Sequence, residues 1–83
     1  MGKLASEFEL NELVGKRVKS LRDFNGVPKG MTGTVDEHYD IGEWHQGVMV
    51  AWDKPLAAWT TKPLRDGFGR DDDFDETIWL EVI

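Results

Sequence analysis

At 83 residues with no cysteine, the chain has room for one domain and cannot form a disulfide, a thiolate metal site or a cysteine nucleophile. Hydrophobic residues make up 40% and include four tryptophans, which excludes a disordered chain. The net charge of −6 is uneven: six Lys/Arg face four Asp/Glu before Asp36, and four face twelve from Asp36 onward. That balance opposes nonspecific nucleic-acid binding, in which phosphate neutralisation dominates affinity.

In chain order, Met1 to Leu13 is polar and acidic and lacks the apolar core of a signal peptide. No run approaches the roughly 20 apolar residues that cross a bilayer. A cytoplasmic, reducing setting with no membrane contact is therefore expected. Ser6 and Glu9 stand at capping-box spacing, so a short helix is expected over about residues 6–14, with Phe8, Leu10 and Leu13 as its apolar flank and Gly15 as its stop.

Lys16 to Leu21 reads as the first strand, with Val18 inward, Arg17 and Lys19 outward, and a bulge or a second covered face needed to seat Leu21. Asn25-Gly26 is turn chemistry and Pro28 stiffens the loop that follows. Thr32 to Tyr39 is the second strand, in which Gly33 permits a bend or a close approach of another strand. Asp40 to Gly47 is a loop carrying Trp44 and His45. Val48 to Asp53 alternates with a period of two and is the clearest strand. Ala57 to Thr61, with Trp59, is a weaker fourth strand. Pro63 to Glu76 is expected to be an irregular charged loop, and Thr77 to Ile83 the last strand. Five short strands separated by turn signals give a mainly β chain, a closed or nearly closed antiparallel barrel with a short N-terminal helix, in one domain over 1–83.

The runs Gly15-Lys16-Arg17-Val18, Val27-Pro28-Lys29-Gly30-Met31-Thr32-Gly33-Thr34-Val35 and Val48-Met49-Val50-Ala51-Trp52-Asp53 resemble small SH3-like barrels of the KOW-like kind, as found in short bacterial and phage-type domains. The likeness spans about residues 14–56. It implies a five-stranded SH3-like barrel and says little of function, because such barrels serve many binding roles. KOW modules are typically basic, and this chain is acidic.

Three sets of residues are candidate sites. A barrel this small cannot bury all its aromatic rings, so Phe24, Trp44, Trp52, Trp59 and Phe68 are candidates for partner binding. Phe24, Trp44 and Trp52 are the anchors expected in a groove between the Asp23–Met31 and Asp40–Gly47 loops, with nearby acids favouring a basic or proline-containing protein. The strip Lys16, Arg17, Lys19, Arg22 and Lys29, beside Phe24, is the alternative, a nucleic-acid or ribosome contact. A further alternative is that the acidic half mimics nucleic acid. Asp71, Asp73 and Asp75 match the first three ligand positions of a calcium loop, but Glu76 stands where that loop needs glycine and Val82 where it needs a bidentate glutamate. His38 shares a strand face with Asp36, yet no nucleophile with a supporting base and no phosphate loop is recognisable. The expectation is a noncatalytic binding module without a cofactor.

Overall fold

The computed structural model describes residues 2–23, 27–41, 46–53, 65–71 and 73–83. These form one six-stranded antiparallel sheet: β1 (Lys3–Leu4), β2 (Arg17–Ser20), β3 (Thr32–Asp40), β4 (Gln46–Trp52), β5 (Arg65–Gly69) and β6 (Leu80–Val82). Their order is β1-β6-β2-β3-β4-β5. The mainly β expectation holds. The closed five-stranded barrel is not what the described residues form, because β1 and β5 end the sheet without pairing.

The N-terminal helix is replaced by two single turns, a 3-10 turn at Ala5–Glu7 and α1 at Leu10–Leu13. The cap falls earlier than Ser6 suggests and is one-sided: the Leu4 N–H donates to Glu7 Oε2 at 2.8 Å, while leucine has no side-chain acceptor to return the bond. Leu10 and Leu13 recur at i, i+3 and both face the core. Gly15 then takes φ 90°, a conformation that favours glycine, and its N–H donates to the Val35 carbonyl at 2.7 Å. The stop thus also joins the turn to β3.

The long strands follow the alternation of their residues. Val18, Val35, Val48, Val50 and Trp52 are buried with Leu80 and Phe68 between the sheet and the N-terminal turns. A bulge does occur, but in β3 between Val35 and Glu37 rather than in β2. Leu21 instead leaves the strand, and its N–H donates to the Trp79 carbonyl at 2.9 Å.

Two segments differ from expectation. Arg65–Gly69, expected as loop because Asp66-Gly67 and Gly69 are turn residues, is β5, paired with β4 from Ala51↔Arg65 to Gly47↔Gly69. Tertiary pairing and burial of Phe68 override the local preference. The fourth strand expected at Ala57–Thr61 and the Asn25-Gly26 turn lie outside the described residues. Thr77–Ile83 is not one strand: Glu76–Trp79 is a 3-10 turn capped by Asp75, whose Oδ1 accepts from Thr77 N–H at 2.9 Å. That turn breaks the alternation, so Leu80 is fully buried while Ile78 is 48% exposed.

Candidate functional site

The aromatic candidates separate. Trp52 and Phe68 are each 1% exposed and are therefore core residues, not partner anchors. Both lie on the inward face of their strands, where their rings meet edge to face at 6.2 Å and 81°. The indole N–H donates to Asp66 Oδ2 at 2.8 Å, so the polar end of the largest buried side chain among the described residues is satisfied. Phe24, Trp44 and Trp59 lie outside the described residues. The groove expected between their loops therefore also lies outside the described residues. Ile41, which follows β3, is 74% exposed.

The basic strip is largely occupied by its own sheet. Arg17 forks onto Asp53, with Nη1 2.7 Å from Oδ1 and Nη2 2.5 Å from Oδ2, and also donates to Thr34 Oγ1 at 2.8 Å. Thr32 donates to the same carboxylate, and the hydrogen bond with Asp53 raises the Arg17 pKa. Lys19 lies 3.3 Å from Glu81, its directly opposed residue on β6. The Arg22 guanidinium sits 4.4 Å from the Trp79 ring centroid, and the Lys16 ammonium 5.3 Å from that of Phe8. Of the five residues of the strip, Lys29 is the one whose side chain has no such partner among the described residues.

The described residues of the acidic run are laced by hydrogen bonds. Asp71 Oδ1 accepts from the N–H of Asp73 (2.7 Å) and of Phe74 (3.1 Å), an Asx turn. Asp75 accepts from Thr77 N–H and from its hydroxyl, and its other oxygen lies 3.3 Å from Arg70 Nε. No group of three potential metal-ligating side chains converges among the described residues. His38 and Asp36 are not brought together either. The bulge sends Asp36 to Arg65, at 2.9 and 3.0 Å, while His38 lines a small cavity with Glu9, Leu10, Asn11, Gln46 and Arg70.

Two features escaped the sequence reading. Arg70 donates to the carbonyls of Phe8 (2.7 Å) and Ala5 (3.2 Å) and to Thr77 Oγ1 (2.8 Å), thereby fastening the N-terminal turns to the C-terminal one. The only local hint was a lone arginine between a glycine and an aspartate run. The second is the outward face of β3, β4 and β5, where Tyr39, Glu37, Met49, Gly47 and Gly67 share one side. A β-carbon on Gly47 would meet the Tyr39 hydroxyl at 2.5 Å and ring Cζ at 2.7 Å, so the phenol lies across that glycine. Desolvation there, then the nearby Glu76 charge, raises the Tyr39 pKa.

Neither protein-family models, nor curated proteins, nor solved structures match the chain. Among the described residues, no helix is long and apolar enough to cross a membrane.

Proposed function

We propose that the chain is a noncatalytic module that binds a basic or proline-containing protein segment through an acid-rimmed aromatic surface at the Ile41–Trp44 end of β3. The observation that carries this reading is Ile41, an apolar side chain left 74% exposed in the acidic half and three residues from Trp44. Exposed apolar groups beside acids suit a partner with matching cations, and extended proline segments lose little entropy on docking. Trp44 is the anchor of this surface, since Trp52 and Phe68 are enclosed in the core. The finer kinship, an SH3-like module of KOW-like kind, belongs to the same proposal. It is supported by the return of β6 beside β2 after a meander from β2 to β5.

Nucleic-acid or ribosome association is the weaker reading. Phosphates would have to displace Asp53 from Arg17 and Glu81 from Lys19, beneath a net charge of −6. A peptide array whose members differ in charge and proline content, probed with the chain and its Trp44→Ala variant, separates the two. Binding concentrated on basic or proline-containing peptides and lost in Trp44→Ala supports the proposal. Binding indifferent to Trp44, or single-stranded RNA retained at about 150 mM salt, replaces it.

A further inference from the structure

Among the described residues, β5 is an edge strand whose open side has a definite phase. The Arg70 N–H donates to the Gln46 carbonyl at 2.9 Å. In an antiparallel ladder, bonded pairs alternate with non-bonded ones, so residues 66, 68 and 70 bond to β4. Residues 65, 67 and 69 therefore turn their N–H and C=O groups away from it. The far end of this edge is already closed by the chain itself: Gly69 N–H donates to Glu76 Oε1 at 3.1 Å, and Arg70 bridges Asp75. Here a side-chain carboxylate stands where a neighbouring strand would place a carbonyl. At Gly67 no described residue does so. Among the described residues no group bonds to its N–H or C=O, and the residue is exposed.

We propose that the Arg65–Gly67 edge of β5 accepts an extended cationic peptide segment as a further strand. This rests on the reading of the chain as a protein-binding module and names the geometry of that binding. An unpaired strand edge supplies main-chain hydrogen bonds to any extended chain, and flanking side chains select among candidates. Those flanks are negative. Arg65 is shared by two carboxylates, Asp36 at 2.9 Å and Glu37 at 3.2 Å, and Glu76 adds a third at the closed end. Gly67 carries no side chain to hold an incoming residue off. A β-carbon there would stand 3.2 Å from Met49 Sδ and 3.6 Å from the Tyr39 hydroxyl. An incoming lysine or arginine opposite Gly67 thus meets a sulfur, a phenol and surrounding carboxylates. A second copy of the chain would bring another −6, so self-pairing is opposed.

The test uses a capped peptide of about eight residues alternating lysine and valine, its glutamate–valine counterpart, and a lysine–valine peptide N-methylated at alternate residues. Amide exchange at Gly67 is read by NMR. The expected result is exchange slowed at least about tenfold by the lysine peptide, at least about tenfold weaker binding of the glutamate peptide, and no effect of the N-methylated one. An unchanged Gly67 amide at saturation, equal binding of all three peptides, or no binding up to about millimolar peptide overturns the proposal. So does a Gly67 amide already protected in the free protein, or one whose protection rises with protein concentration alone, which assigns the edge to a second copy. Trp44→Ala keeps the two readings apart. Lysine-peptide binding lost in that variant without any change at Gly67 removes the edge and keeps the aromatic surface. Protection at Gly67 that is indifferent to Trp44 keeps the edge and removes the aromatic surface.

Discussion

Gly33 lies directly beneath the Trp52 indole, its partner across the β3–β4 ladder: a β-carbon at residue 33 would stand 2.9 Å from Trp52 Cε3 and 2.7 Å from the Ala51 carbonyl. The tryptophan is fully enclosed and held by Asp66, so it cannot tilt away without losing its hydrogen bond. Gly33→Ala is expected to destabilise the chain by about 1–3 kcal/mol through overpacking. Urea unfolding followed by tryptophan fluorescence checks this, and a midpoint equal to that of the parent chain would show that the sheet yields freely.

Arg70 is expected to tolerate not even lysine. A single ammonium lacks the planar fork that reaches two carbonyls and a hydroxyl at once, so the Phe8 carbonyl loses its Arg70 donor and the Ala5 carbonyl keeps only the Phe8 N–H at 3.1 Å. Arg70→Lys is expected to cost about 2–3 kcal/mol, the scale of losing hydrogen bonds to a charged, part-buried donor. Thermal unfolding of the two chains side by side measures it.

Tyr39 is the one tyrosine of the chain, so its ionisation can be followed without overlap from another phenol. Its folded pKa is raised, by desolvation first and by Glu76 second. A raised folded pKa means that the native state holds the proton more tightly than the unfolded chain does. The associated stability is fully present below the ordinary tyrosine range and is lost as pH rises through the folded pKa. Ultraviolet difference titration is expected to give a midpoint above that of a free tyrosine peptide, moved downward in Glu76→Gln.

Calcium at about millimolar concentration is expected to leave tryptophan fluorescence and thermal stability unchanged. Asp71 and Asp75 already accept backbone and hydroxyl hydrogens, and Asp75 also faces Arg70. A calcium-dependent rise in melting temperature that is abolished by Asp73→Asn would refute this.

Much of the fold is visible in the residues themselves. The alternation in Val48-Met49-Val50-Ala51-Trp52 has a single physical outcome, a half-covered strand, and β4 contains it, starting two residues earlier at Gln46 than expected and ending one earlier at Trp52. The same holds for Gly33, whose missing side chain marked a close approach, and for Gly15. β5 was hidden because Asp66-Gly67 carries strong local turn preference, and what makes it a strand is pairing with β4 and burial of Phe68. The 3-10 turn at Glu76–Trp79 was hidden because Ile78, Leu80 and Val82 mimic strand alternation, while its cap rests on one aspartate. Among candidate sites, composition shows that rings are many but does not say which ring goes inside. Trp52 and Phe68 fill the interior because their strands' parity points them there. The pairing of Arg17 and Lys19 with Asp53 and Glu81 depends on register, which no local pattern encodes.

The Arg70 fork also has a dynamic consequence. It grips carbonyls more than sixty positions upstream and a hydroxyl seven positions downstream. Loosening either grip releases the other, so the opening turns and the closing one should melt as one cooperative unit, with matched hydrogen-exchange rates despite their distance along the chain.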